Sequence, residues 1–182
     1  NDSRSTSVRI LDGIQNLLPY GVGRDLQTSY STLVDAYKKA ELLQDTGLGI
    51  FLLSSIPVDR PEPSEALKAT TVWSIGLEPS TRLLSSLQLD DFRRGYPISE
   101  ETDVRAERGA YFVHADMSVE TRDDVTWYTV AEIDQGPAEV ALLQSQLQDK
   151  VGLLKELEND IAESDRQLVA IMAGADGLQH TE

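Results

Sequence analysis

The stretch Ala110-Tyr111-Phe112-Val113-His114-Ala115-Asp116-Met117-Ser118-Val119 decides the fold. Tyr111, Val113, Ala115 and Met117 fall on one side of an extended chain, and Phe112, His114, Asp116 and Ser118 on the other. A period of two marks a strand with one face toward a core. Working outward, Thr121-Arg122-Asp123-Asp124 reads as a turn and Trp127 to Ile133 as the next strand. On the N-terminal side, Ala66 to Leu77 is rich in Thr, Val, Trp and Ile, residues that suit a pleated surface. Leu48 to Val58 is a further strand, ending at the proline-rich segment 59–63.

Asp45-Thr46-Gly47 reads as a hairpin turn ahead of Leu48, with Gly supplying positive φ. Its other arm, Ser31 to Leu43, reads as a long strand with Leu33, Asp35, Tyr37 and Lys39 on one face, although its stretch Ala36 to Leu43 suits a helix equally well. Ser7 to Asp12 alternates as a strand, and Asp12-Gly13 is a turn signal. Leu83-Leu84 is a short strand or one helical turn. Residues 88 to 108, polar and charged, read as a long exposed loop.

The pattern changes at Gly136-Pro137. Proline suits the first helical position, where a missing N–H costs nothing. Val140, Leu143 and Leu147 follow at helical spacing, and Gly152 interrupts. A second stripe runs through Leu154, Leu157, Ile161, Leu168 and Ile171, with Glu156, Glu158, Glu163 and Asp165 opposite and Gly174 as a stop. Ser164 and Asp165 spoil a coiled-coil seam. The expected fold is therefore mainly β with C-terminal helices: an antiparallel β-sandwich portion over residues 1–135, then two linker helices over 136–182.

Lys and Arg total 16 against 31 Asp and Glu, a net charge of -15. Such a surface repels phosphate backbones and anionic membranes, so neither nucleic acid nor membrane is an expected partner. Mean hydropathy of -0.29 fits a soluble globular protein, and a cytoplasmic location is expected. Cysteine is absent, which excludes disulfides, thiolate metal sites and Cys nucleophiles. Asn1 stands where an initiator Met is usual, so the chain is expected to be a piece of a larger protein.

Candidate chemistry is sparse. His114 and Asp116 share a strand face, a geometry suited to a metal, but the sequence offers no third ligand. Asp90-Asp91 and Glu100-Glu101-Asp103 pair carboxylates in what reads as solvated loop, where nothing raises a pKa for acid catalysis. Arg93-Arg94 and Arg105/Arg108 suit an anion, yet interleaved acids offer local neutralisation. Gly21-Val22-Gly23 is too short for a dinucleotide fingerprint. Trp73, Trp127, Tyr111 and Tyr128 read as sheet packing rather than sugar stacking. No catalytic, cofactor-binding or metal residue is assigned and no cofactor is expected. Asp176, Gln179 and His180, just after the second apolar stripe, are candidate ligand contacts in a longer chain.

Several stretches resemble one family in order along the chain. They are the run 7–21, from Ser7-Val8-Arg9-Ile10-Leu11-Asp12-Gly13 to Pro19-Tyr20-Gly21; Leu33-Val34-Asp35-Ala36-Tyr37-Lys38; and Gly47-Leu48-Gly49. Asp59-Arg60, Glu62-Pro63, Glu65-Ala66-Leu67 with Ala69, Phe92-Arg93-Arg94-Gly95 and Ala175-Asp176-Gly177-Leu178-Gln179 complete the set. These resemble the middle of large cellobiose-phosphorylase-like proteins, related to glycoside hydrolase family 94. The resemblance implies a non-catalytic β-sandwich and linker segment of an enzyme that breaks or forms glycosidic bonds. The catalytic carboxylate would lie in a helical barrel after Glu182. Implied partners are a carbohydrate substrate bound by the parent protein, the downstream barrel by intramolecular contact, and a second copy in a homodimer. The residues alone leave a second expectation open: a ligand-binding or sensor module with a helical stalk.

Overall fold

The computed structural model describes residues 5–54, 68–120 and 124–176. The chain divides into two compact units, Asn1–Gln144 and Ser145–Glu182.

The first unit carries two antiparallel sheets. Strands β1 (Ser5–Leu17), β7 (Gly109–Glu120) and β5 (Thr81–Leu83) form one, in the order β1-β7-β5. The other runs β6 (Asp103–Arg105), β2 (Lys38–Leu43), β3 (Leu48–Leu53), β4 (Ala69–Ile75) and β8 (Tyr128–Gln135), in the order β6-β2-β3-β4-β8. Short helices α1 (Arg24–Ser29), α2 (Ser31–Ala36) and α3 (Leu89–Arg93) fill the connections. Helix α4 (Pro137–Gln146) follows β8, and α5 (Lys150–Asp176) makes up most of the second unit.

The period-two reading of β7 holds on both faces. Tyr111, Val113 and Ala115 meet Ala40, Phe51 and Val72 of the five-stranded sheet in one buried cluster. The two sheets thus close on a shared core, a β-sandwich arrangement. Ala110 and Phe112 point the other way and are buried with Leu83, beneath Leu89 and Ile98. Burying a side chain of this size contributes about 1.5–3 kcal/mol. The segment from Leu89 to Ile98 therefore works as a lid on the outer face of the three-stranded sheet.

Tyr111 is fully buried, and its hydroxyl donates to the Gly47 carbonyl at 2.7 Å. Gly47 sits at φ 75° in the turn between β2 and β3, as the hairpin reading requires. The hydrogen bond thus ties the core strand of one sheet to a hairpin of the other. Burial pushes the Tyr111 phenol up from its ordinary value, against the opposing pull of Ser74 and Arg82. A raised folded pKa gives stability that is complete below the unfolded tyrosine pKa of about 10 and lost as pH rises through the folded one. Urea titrations between about pH 9 and 11.5 should show the wild type losing stability faster than Tyr111→Phe. Parallel losses in the two proteins would count against this burial.

Five expectations are corrected. Asp12-Gly13 is not a turn: both residues lie inside β1, paired with Val113 and Phe112. Gly13 is needed for close approach, since a Cβ there would stand 1.9 Å from the Tyr111 carbonyl oxygen. Ser31 to Leu43 is not one strand. It is α2 followed by β2, because Val34 buries a helical face and strict alternation of burial starts only at Lys38. Residues 88 to 108 are not one open loop, since they contain α3 and β6. Gly152 does not interrupt a helix; it lies in the first turn of α5, where its N–H donates to the Asp149 carboxylate at 3.0 Å. A Cβ at Gly152 would meet that carboxylate at 2.4 Å, so glycine lets the cap close. Gly174 does not stop α5, which runs on to Asp176; one helical glycine costs only about 1 kcal/mol. The expected turn at 121–124 lies, apart from Asp124, outside the described residues, as does segment 55–67.

Candidate functional site

β1 ends in an irregularity that opens a pocket. Pairing with β7 shifts register between Gln15 and Leu17, leaving Asn16 unpaired at φ 59°. Asparagine tolerates this left-handed conformation better than most residues, and a bulge re-aims the side chain it carries. Asn16 and Leu18 form one wall of a cavity of about 280 Å³. Gln27 and Thr28 of α1 and Ser31 of α2 form another, and Lys38 and Arg108 complete it.

Lys38 is the unusual member. It opens β2 facing inward and is 4% exposed. Its ammonium donates to Asp35 Oδ1 at 2.8 Å and to Gln27 Oε1 at 2.5 Å. Gln27 Nε2 in turn donates to Asp35 Oδ1 at 3.2 Å. A buried lysine needs such partners, because an unpaired charge in a low dielectric is costly. Arg108 Nε lies 3.6 Å from Asp35 Oδ2. Burial pushes the Asp35 carboxyl up, but hydrogen bonds from Lys38 and Gln27 and the charges of Lys38 and Arg108 outweigh it, holding the pKa below the ordinary carboxylate value. A lowered pKa gives stability that is present above the unfolded value and lost as pH falls through the folded one. Asp35→Asn should therefore flatten the acid limb of the stability curve below about pH 4, read by urea midpoints, at the cost of lower stability at neutral pH. An unchanged acid limb would show that the carboxylate is not held in this network.

The residues singled out from the sequence are placed differently. His114 is buried and Asp116 exposed, with His114 Nε2 3.9 Å from Asp116 Oδ1. Ser80 Oγ lies 2.9 Å from His114 Nδ1, and the Phe92 ring stands edge-on to the imidazole. Among the described residues, no group of three or more His, Asp or Glu gathers in a way that could hold a metal ion. Glu101 is no solvated acid. Its carboxylate accepts from the backbone N–H of Leu84 and Ser85, both at 2.8 Å, from Ser85 Oγ at 3.0 Å and from Gln88 Nε2 at 2.9 Å. Arg93 pairs with Asp90 and Arg105 with Asp103. Trp73 and Tyr111 are core residues, and Trp127 Nε1 donates to Asp12 at 2.7 Å. Gln179 and His180 lie outside the described residues, and Asp176 is described only as the backbone end of α5.

The pocket itself was not read from the sequence. Its signal was the Asp35–Lys38 spacing, three apart and able to pair at the end of a helix, in a segment read as strand. No protein-family model matches the chain, and no curated protein matches it. Among the described residues, no helix is long and apolar enough to cross a membrane.

Proposed function

We propose that this chain is a non-catalytic β-sandwich and linker segment of a carbohydrate-active enzyme that breaks or forms glycosidic bonds. The observation that carries the reading is the order of the architecture. Two facing antiparallel sheets are followed by helices, and the resemblance to cellobiose-phosphorylase-like proteins implies that order over the same residues. The charge state of the site agrees. Asp35, the carboxyl beside the pocket, is held below its ordinary value, whereas a general acid needs a raised pKa. In this reading the sandwich supports a helical barrel encoded after Glu182, and the parent acts on a carbohydrate.

The test is the coding sequence on both sides, followed by a phosphorolysis assay on the full product. A helix-periodic region with candidate carboxylates downstream, and sugar phosphate released only by the full chain, is the expected result. A membrane span downstream instead would sink the proposal and favour a sensor module with a helical stalk. One observation favours that second reading: α5 is 27 residues long, and Leu168, Val169, Ile171 and Met172 near its end are exposed.

A further inference from the structure

We propose that the pocket between Asn16, Ser31, Lys38 and Arg108 binds a compact oxyanion that carries hydroxyl groups, such as a hexuronate or a hexose phosphate. The inference rests on the geometry of the sandwich and stands whether or not the parent acts on glycosidic bonds.

Charge comes first. Two cations, Lys38 and Arg108, share one carboxylate, Asp35, so the cluster carries one net positive charge in a chain of net charge -15. No residue lining the cavity is a carboxylate. A net positive cluster favours an anion, and the attraction is strengthened at the Lys38 end, where the ammonium is buried.

Donors come second. Lys38 is more than nine-tenths buried, and two of its three N–H donors are held by Gln27 and Asp35. Among the described residues the third has no partner. The Arg108 guanidinium makes no hydrogen bond among the described residues, and its only carboxylate neighbour there is 3.6 Å away. Arginine presents a planar fork that matches two oxygens of a carboxylate or phosphate. Asn16 and Ser31 add neutral donors and acceptors suited to hydroxyl groups. Leu18 supplies an apolar patch. A volume of about 280 Å³ is at the small end of ligand cavities, fitting one monosaccharide rather than a chain.

The experiment is titration of the chain with glucuronate, glucose 6-phosphate, glucose and inorganic phosphate, followed by isothermal calorimetry and by amide shifts. Saturable binding of an anionic sugar, with glucose about tenfold weaker or worse, is expected. A response to one anionic sugar and not the other supports the site and assigns the charged group. Arg108→Ala, at a side chain 62% exposed, should keep the fold and weaken binding about tenfold. Ser31→Ala should weaken the sugar anions and leave inorganic phosphate unchanged. The proposal is overturned if no anion binds at about 10 mM, if glucose binds as well as the anions, if inorganic phosphate matches glucose 6-phosphate, or if Arg108→Ala changes nothing.

Discussion

Gly13→Ala is expected to destabilise the sandwich by about 3 kcal/mol or more, or to prevent soluble folding outright. The added Cβ would stand 1.9 Å from the Tyr111 carbonyl oxygen and 2.8 Å from Phe112 Cα. Both obstacles are backbone, so no side chain can swing away. Either β1 slides off β7 or β7 bends. β7 is the worst strand to bend, since Tyr111 anchors the core between the sheets and Phe112 the cluster beneath Leu89 and Ile98. A shift of a few tenths of an ångström is felt on both faces, because interiors packed at crystal density have no slack. Gly23→Ala is the matched control. It sits in open space at φ -71° as the N-cap of α1, where alanine is a poorer cap than glycine, and the exchange should cost no more than about 1 kcal/mol. Equal urea midpoints for the two variants would refute the close approach of β1 to β7.

This glycine also shows where sequence reading stops. An Asp-Gly pair after an alternating run is a local turn signal, but what fixes Gly13 is a strand about a hundred residues later in the chain. The strands themselves were legible because their chemistry is local: β7 alternates, β4 is β-branched, and Asp45-Thr46-Gly47 supplies its own positive φ. Apart from the β2–β3 hairpin, strand partners were not legible. β7 and β8 are consecutive along the chain yet belong to different sheets, and nothing between them announces it. The pocket was hidden for the same reason. Asn16, Gln27, Lys38 and Arg108 come from four separate elements or connections, and of these Arg108 alone stands out locally, as a residue suited to an anion. Lys38 carries the clearest missed hint, because it starts the alternation of β2 on the buried side, where a lysine needs a reason.

Glu101→Ala is expected to cost about 3 kcal/mol, more than any other exchange in the segment 88–108. That segment reads as solvated because its side chains are mostly polar, and composition reports exposure rather than hydrogen bonding. The Glu101 carboxylate accepts four hydrogen bonds, two of them from the backbone of Leu84 and Ser85. Leu84 is fully buried and Ser85 is 1% exposed, so their N–H groups would have little access to water once the carboxylate is gone. An unsatisfied buried donor costs about 1–3 kcal/mol, and bonds to a charged acceptor lie at the upper end. Gln88 would also lose one of the contacts that fix the end of the lid, since it bonds Glu101 and the backbone of Ser99. Glu101→Gln separates the effects: it keeps an acceptor oxygen but loses the charge and half the capacity, and should recover part of the loss. The readout is a urea midpoint joined to amide exchange at Leu84 and Ser85, which should accelerate strongly in Glu101→Ala and partly in Glu101→Gln. A Glu101→Ala variant as stable as wild type, with both amides still protected, would return Glu101 to the solvated loop and leave Leu83, Ala110 and Phe112 to hold the lid by apolar contact alone.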